Sequence, residues 1–279
     1  MFSIAVYEQG LLVGAAAAFV TWILSLYRRN VAIVDSLWPL MFVLDACAYA
    51  LVGGVSGPRG VLMLSVVTVW ALRLSIYITW RNWGHGEDRR YQAIRARNKP
   101  RFAIKSLYLI FGLQAVLAWI ISLPLLGAIL SSAPLGVLDG VGVALCLVGF
   151  IFETGADWQL ARFKSKPANN DKVMDRGFWR YTRHPNYFGD FCVWWGFYLI
   201  AASGGAWWSM VGPLLMSLLL MRVSGVTLLE KDIGERRPGY SDYADAPIRF
   251  SPTCPSLCVI ESLHIRLWIK GLDVKTLGR

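Results

Sequence analysis

The segment RYTRHPNYFGDF, at positions 180–191, places polar side chains suited to nucleotide binding directly before an apolar run, CVWWGFYLIAA. Arg183 and His184 carry the types of side chain that bind phosphate groups. Asn186 and Asp190 hydrogen-bond well to ribose hydroxyls or carboxamides, and their i, i+4 spacing puts them on one face of a helix entering lipid. The pattern predicts a nucleotide cofactor bound at the mouth of a membrane span.

Two further segments, FKSKP at 163–167 and EKDIGERRPGYSDYADAPIRF at 230–250, repeat this mixture of cations and aromatic rings. With the middle segment extended to DRGFWRYTRHPNYFGD, 175–190, the cations of the three segments include Lys164, Lys166, Arg176, Arg180, Arg183, His184, Arg236, Arg237 and Arg249, and the rings include Trp179, Tyr181, Tyr187, Tyr240 and Tyr243. Membrane topology by itself accounts for such charges, but it does not account for Asn186 and Asp190. No GxGxxG motif follows a strand, which excludes a Rossmann domain as the cofactor site.

Several ionisable side chains lie inside apolar segments, where each costs several kcal/mol unless it is paired or faces water. They are Asp35, Asp45, Arg73, Glu153 and Asp157, with the phenol of Tyr77 one helical turn after Arg73. One interpretation pairs Arg73 with Asp35 or Asp45 to hold two helices together. The other makes Asp35 and Tyr77 a proton-donating catalytic pair in a cavity.

The composition indicates an integral membrane protein. Of 279 residues, 56% are hydrophobic and only 16% are charged, whereas soluble domains are about one quarter charged. The net charge of +10 is concentrated in a few loops between apolar segments, so we expect no nucleic-acid partner. The three histidines and the lone CPSLC pair at 254–258 do not suffice for a metal site, and none is expected.

Apolar runs of about twenty residues predict an all-α, polytopic fold with seven transmembrane helices. The runs fall near 10–27, 32–53, 61–80, 104–130, 135–159, 187–203 and 207–228. Strongly basic loops alternate with nearly neutral ones along the chain, and Arg59 is the lone cation in the second loop. The positive-inside rule then predicts that the N-terminus lies outside and the C-terminus in the cytoplasm.

The sequence predicts a single membrane domain, 1–255, followed by a cytoplasmic tail, 256–279. The N-terminal apolar run lacks a preceding basic region, and Arg28 and Arg29 follow it instead, so we expect a retained first span and not a cleaved signal peptide. We expect a monomer embedded in the bilayer.

The stretch RGFWRYTRHPNYFGDFCVWWGFYL resembles the C-terminal signature of membrane steroid 5α-reductases and sterol C14/C24 reductases. The stretches RNVAIVDSLWPL, EDRRYQAIR and LLEKDIGERRPGYSDYADAPIRFSP are similar to a bacterial branch of that superfamily, described as having a domain of unknown function. The resemblance covers about residues 20–252. It implies a multi-pass protein of the bacterial inner membrane, with NADPH held between the later helices and the cytoplasmic loops.

The resemblance also implies roles for individual residues. The cofactor contacts that it suggests, together with the neighbouring cations and rings, are Asp157, Lys164, Trp179, Arg183, His184, Asn186, Tyr187, Asp190, Trp194, Tyr240, Tyr243 and Arg249. The 5α-reductases orient the substrate ketone with a Gln–Glu pair that this chain lacks, so Asp35 and Tyr77 are the catalytic candidates. The hypothesis is hydride transfer from NADPH to a lipophilic, steroid- or isoprenoid-like enone, whose carbonyl oxygen is hydrogen-bonded by Asp35 or Tyr77.

Two alternatives remain open. RHPxYxG also resembles the signature of integral-membrane methyltransferases of the isoprenylcysteine and phospholipid type, which bind S-adenosylmethionine. Asn186 and Asp190 distinguish the two families, since the methyltransferases typically lack both. The second alternative is a non-enzymatic lipid-binding or scaffold protein, which predicts neither a cofactor nor a pocket.

Overall fold

The computed structural model describes residues 2–169 and 172–223, and within these ranges the chain is helical, with no strand. The helices are α1 Ile4–Arg28, α2 Val34–Gly53, α3 Pro58–Asn82, α4 Arg89–Arg97, α5 Phe102–Ser106, α6 Leu113–Ile121, α7 Leu123–Ile129, α8 Val137–Lys164, α9 Pro185–Ser203 and α10 Val211–Leu218. π-Helical turns at Leu107–Gly112 and Leu219–Val223 join α5 to α6 and extend α10. The predicted all-α class is confirmed for these residues.

Five helical segments in the described part of the chain are long and apolar enough to cross a membrane. They are Ile4–Arg28, Val31–Gly53, Pro58–Asn82, Phe102–Ile121 and Val137–Lys164. Their lengths of 20 to 28 residues match the hydrocarbon thickness of about 30 Å at 1.5 Å per residue. The protein is therefore an integral membrane protein.

The sixth and seventh predicted spans stay predictions. The sixth, 187–203, falls within α9, and the seventh overlaps a shorter apolar helix, Trp207–Met221, before passing beyond the described residues. The proposed boundary at residue 255 and the tail also lie outside them.

The helices run up and down, so their ends gather at two ends of the bundle. At the first, which we call the basic end, α1, α3 and α8 finish while α2 and α9 begin; Glu87 there accepts a hydrogen bond from the Val31 amide. At the opposite end the Ser56 amide donates to the Ile129 carbonyl, joining the loop after α2 to the end of α7. Contacts at the basic end position the candidate site.

At the opposite end, Arg59 is completely buried, although the sequence suggested only a loop cation. Its guanidinium pairs with Asp139 at 2.9 Å and donates to the Ser131 hydroxyl at 2.7 Å. It also donates to the Pro134 carbonyl at 2.7 Å. Asp139 in turn accepts from the Gly136 amide at the start of α8. Arg59 therefore ties the start of α3 to the loop before α8 and to α8 itself.

Helices α8 and α9 pack with their backbones in direct contact through glycines. A Cβ added at Gly149 would lie 2.8 Å from the Val193 nitrogen, and one at Gly196 would lie 2.7 Å from the Gly142 carbonyl oxygen. A methyl group does not fit at these distances. The glycines bring Glu153 on α8 next to the start of α9, which is where the two helices share the candidate site.

Gly149→Ala is expected to lower the free energy of unfolding by about 1–3 kcal/mol, because the added methyl group forces the two backbones apart. Gly140→Ala on the same helix is the matched control, since a Cβ there meets nothing within 4 Å. The control should be neutral or raise stability by about 0.5–1 kcal/mol through its helix preference. Denaturant titrations of the two variants in detergent measure the difference, and equal stabilities would contradict the close approach of α8 and α9.

Candidate functional site

A charged cluster lies between α3 and α8, near the basic end. Arg73 Nη1 is 2.8 Å from Asp157 Oδ2, and Arg73 Nη2 is 2.7 Å from Glu153 Oε1. Glu153 also accepts a hydrogen bond from the Trp70 indole at 3.0 Å. Both carboxylates are almost completely buried, which is possible because one guanidinium pairs with both of them. The expectation that Arg73 pairs with Asp35 or Asp45 is therefore wrong: its partners come from α8, not α2.

Helix α9 brings Asn186, Asp190 and Trp194 to this cluster. Asn186 is within hydrogen-bonding reach of the Asp157 carboxylate, and the charge of Asp190 interacts with Glu153, Asp157 and Arg73. Asp190 Oδ1 and Trp194 Nε1 are buried and form no well-aligned hydrogen bond among the described residues, although the Asp190 carboxylate and the Trp194 indole lie within reach of each other. The fold thus combines the predicted residues Asp157, Asn186, Asp190 and Trp194 in one place.

Three carboxylates in this cluster face a single guanidinium, so hydrogen-bond acceptors and negative charge are in excess. Asp190 accepts and Trp194 donates, and because the two are close without forming a well-aligned hydrogen bond, a polar group bound between them would satisfy both. The arrangement suits a ligand with N–H or O–H donors, such as a carboxamide or ribose hydroxyl, or a ligand with a positive charge.

A cavity of about 540 Å³ opens beside the cluster, between α3 and α8. Its lining includes Arg73, Tyr77, Trp80, Asp157, Trp158 and Arg162. Trp80 and Trp158 are 64% and 59% exposed, and they stand on the surface that these membrane-spanning helices turn outward. The cavity therefore connects the buried charges with the lipid-facing side of the bundle.

The other predicted cofactor residues that the structure describes lie at the same end of the bundle. Lys164 is the last residue of α8, and the Trp179 indole donates to the Ala156 carbonyl of α8 at 3.1 Å. His184, at the start of α9, stacks on Tyr187 with ring centroids 5.6 Å apart. Arg183 directly precedes His184. Tyr240, Tyr243 and Arg249 lie outside the described residues.

The two predicted catalytic residues occupy different surroundings. Tyr77 lines the cavity, and its hydroxyl donates to the Asp157 backbone carbonyl at 3.3 Å. Asp35, in the first turn of α2, instead accepts a hydrogen bond from Tyr91 and pairs with Arg90 at 3.0 Å. The structure thus places Tyr77 in the candidate site and gives Asp35 partners from α4.

The loop between α3 and α5 contributes a second polar network, which the sequence reasoning missed. Glu87 accepts from Arg95 at 2.7 and 2.8 Å and from the Val31 amide at 2.9 Å, tying α4 to the turn before α2. Burial alone raises the pKa of the Glu87 carboxyl, but these hydrogen bonds outweigh it, so the pKa lies below its ordinary value. The sequence held a signal for this contact, because Glu87 directly precedes the N-cap residue Asp88 of the short helix that carries Arg95.

The Glu87 contact is expected to weaken in acid. Because the folded pKa is lowered, the stabilisation is complete above the ordinary value of 4.5 and is lost as the pH falls through the folded pKa. The difference in unfolding midpoint between the wild type and Glu87→Gln should be constant above pH 4.5 and shrink below it. Glu8→Gln, at an exposed position of α1, is the control. A difference that persists unchanged into acid would contradict the assignment.

Among the described residues, no group of three His, Cys, Asp or Glu side chains is arranged to hold a metal ion. A family model described as "Protein of unknown function (DUF1295)" matches residues 21–246, most of the chain. The chain belongs to the DUF1295 family. The matched region includes every helix of the charged cluster, so the cluster is part of the DUF1295 domain.

A relative of this DUF1295 protein is "Uncharacterized protein C594.04c" of the yeast Schizosaccharomyces pombe. The two are 27% identical over 283 aligned positions, which cover 88% of this chain and 79% of the yeast protein. No solved structure matches the chain.

Proposed function

We propose that this DUF1295 protein is an NADPH-dependent membrane reductase that acts on an activated carbon–carbon double bond of a lipophilic, steroid- or isoprenoid-like enone. The observation that carries the proposal is the buried pair Asp190 Oδ1 and Trp194 Nε1 beside the Arg73 cluster, which lie within reach of each other but form no well-aligned hydrogen bond. Buried polar atoms without partners are rare, and each calls for an explanation such as a bound group. The resemblance of residues 183–190 to the steroid 5α-reductase signature also supports an NADPH-dependent reductase.

The residues present fit NADPH. The deep carboxylates of Asp157 and Asp190 accept hydrogen bonds from a carboxamide or ribose, and the Trp194 indole donates one. Nearer the surface, Lys164, Arg162 and Arg183 supply positive charge for phosphates. When bound, NADPH would supply the hydride.

Tyr77 is the residue of this chain placed to assist the reaction. Tyr77 lines the cavity, and its hydroxyl donates to a backbone carbonyl, a contact that a substrate carbonyl oxygen is able to replace. A phenol O–H directed at that oxygen stabilises the negative charge that develops there during reduction. Trp80 and Trp158, at the open side of the cavity, provide an apolar entrance for a substrate arriving from the bilayer.

The orientation in the membrane follows from charge. Basic residues are concentrated in the segments 81–101 and 160–185, and the described parts of both, 81–101, 160–169 and 172–185, lie at the basic end. By the positive-inside rule this end faces the cytoplasm and the N-terminus lies outside, in a chain of seven spans acting as a monomer in a bacterial inner membrane. A soluble, charged cofactor would then reach the site from the cytoplasm while the substrate enters from lipid.

Cofactor binding to the detergent-purified protein tests the proposal, measured as the thermal shift with NADPH, NADH or S-adenosylmethionine. We expect stabilisation by NADPH that is weakened in Asn186→Ala and Asp190→Ala and unchanged in the control Gln9→Ala, at the far end of α1. Unaltered NADPH affinity in both site variants would contradict the assignment of these residues. No response to any of the three ligands would favour a non-enzymatic lipid-binding protein.

A second candidate function is methyl transfer from S-adenosylmethionine. The observation that favours it is the excess of negative charge, because three carboxylates around one guanidinium also suit the positive sulfonium and ammonium groups of that cofactor. A thermal shift with S-adenosylmethionine alone would decide for this candidate and against the reductase.

A further inference from the structure

Asp45 lies in the middle of the membrane-spanning helix α2, away from the charged cluster. It is 1% exposed, and neither carboxylate oxygen has a hydrogen-bond partner among the described residues. The backbone of α1 covers it, since a Cβ added at Gly14 would lie 3.4 Å from Asp45 Oδ1. A carboxyl group in this position is costly if it is ionised, and nothing in the proposed reaction uses it.

The hydroxyl groups around Asp45 donate their hydrogen bonds to other acceptors. Ser122 Oγ donates to the Trp119 carbonyl at 2.8 Å, so the 2.7 Å contact between Ser122 and Tyr49 is donated by the Tyr49 hydroxyl. The Tyr7 hydroxyl donates to the same Trp119 carbonyl at 3.0 Å. Each hydroxyl oxygen still has a lone pair available. The Ser122 hydroxyl lies within hydrogen-bonding reach of the Asp45 carboxyl, and because its proton is donated to Trp119 it faces Asp45 as an acceptor.

Among the described residues no positive charge faces Asp45. The cations of α3, which packs on α2, are Arg59, paired with Asp139, Arg73, paired with Glu153 and Asp157, and Arg81 at its last turn. The titratable groups near Asp45 are Tyr7 on α1 and Tyr49 on α2. The segment 113–129, which forms α6 and α7, has no Asp, Glu, Lys, Arg or His. On α1 the charged residues are Glu8, which is exposed, and Arg28 at its last turn. An ionised Asp45 would thus have neither a donor nor a cation.

We propose that Asp45 is a proton-binding site within the membrane. Its carboxyl group holds a proton and donates it in a hydrogen bond to Tyr49 or Ser122, whose oxygens have free lone pairs. Gly10 and Gly14 on α1 let the backbone of that helix close over Tyr49 and Asp45. Release of the proton would require α1 to move away and admit water or a cation.

A hydrophobic carbodiimide, dicyclohexylcarbodiimide, tests this directly because it reacts with protonated carboxyl groups in apolar surroundings. The carboxyl oxygen bonds to the central carbon of the reagent while the carboxyl proton moves to one of its nitrogens, so no other reactant is needed. We expect stoichiometric labelling of Asp45 at neutral pH in the full chain, located by mass spectrometry of its peptide. Asp139 is the matched control: it is equally buried, but its ion pair with Arg59 keeps it unlabelled.

Asp45→Asn should lose the label at this peptide and keep the unfolding midpoint of the wild type, since an amide N–H replaces the carboxyl O–H as a donor. If that variant does not fold, locating the label in the wild type by mass spectrometry still shows whether Asp45 is protonated. An unlabelled Asp45 in the wild type would overturn the proposal. If sodium chloride, but not choline chloride, prevents the labelling of Asp45 by the carbodiimide, the proposal would also be overturned, in favour of a sodium site.

Discussion

Replacing Arg59 with alanine is expected to lower the free energy of unfolding by about 3–5 kcal/mol, one of the largest effects of a single substitution in the described chain. The guanidinium is 0% exposed and pairs with Asp139 through two of its nitrogens, Nε and Nη2, each 2.9 Å from a carboxylate oxygen. Its removal leaves a buried carboxylate without a cation and leaves the Pro134 carbonyl without a donor. The measurement is a denaturant titration of the detergent-embedded protein.

Two further variants separate the ion pair from simple loss of a side chain. Arg97→Ala, at an exposed position of α4, should change stability by less than about 0.5 kcal/mol. The double variant Arg59→Met with Asp139→Leu should recover much of the loss, because apolar residues of similar volume often replace a buried pair without cost. A single variant as stable as the wild type would show that Arg59 is not buried as described.

Arg73→Met is expected to have a comparable effect on stability, about 3–5 kcal/mol, and to abolish ligand binding at the candidate site as well. Arg73 is the cation that contacts both Glu153 and Asp157, and its side chain is only 15% exposed. Without it, two buried carboxylates repel each other and lose their shared hydrogen-bond donor. Unfolding and ligand-induced thermal shifts measured on the same preparation report the two consequences separately.

Neutralising one carboxylate should partly reverse this loss. Arg73→Met combined with Glu153→Gln removes the repulsion between Glu153 and Asp157, so the double variant should be more stable than Arg73→Met alone. Arg73→Lys should fall between Arg73→Met and the wild type, because an ammonium keeps the charge but not the planar fork that reaches both partners. If the changes in the free energy of unfolding caused by Arg73→Met and Glu153→Gln simply add up in the double variant, the two side chains do not interact as described.

Much of the architecture could be predicted because it depends on local composition. The first five spans follow from the length and hydropathy of continuous segments, and Asn186 and Asp190 were found because two polar residues on one helix face contrast with their apolar surroundings. The same contrast singled out Arg73, Glu153 and Asp157. Each of these signals is present within one stretch of about twenty residues, where helical geometry translates sequence spacing directly into position.

The pairing of these residues was decided by the tertiary structure. Arg73 and Asp157 are separated by 84 residues, and Arg59 and Asp139 by 80, so their contacts depend on how the helices are arranged around one another. The sequence offered Asp35 and Asp45 as partners for Arg73, but the glycines of α8 and α9 and the packing of α3 against α8 brought other carboxylates to it.

By itself the sequence determined that this is a helical membrane protein and which buried polar side chains need an explanation, because hydropathy and helical periodicity act over short distances. Only the tertiary structure decided which of them are neutralised: Arg59 by Asp139, Arg73 by Glu153 and Asp157, and Asp35 by Arg90. In the described part of the chain, the tertiary structure also leaves Asp45 without a charged partner. The physical reason is that an ion pair requires two groups within about 4 Å, a distance that helix packing sets and sequence separation does not.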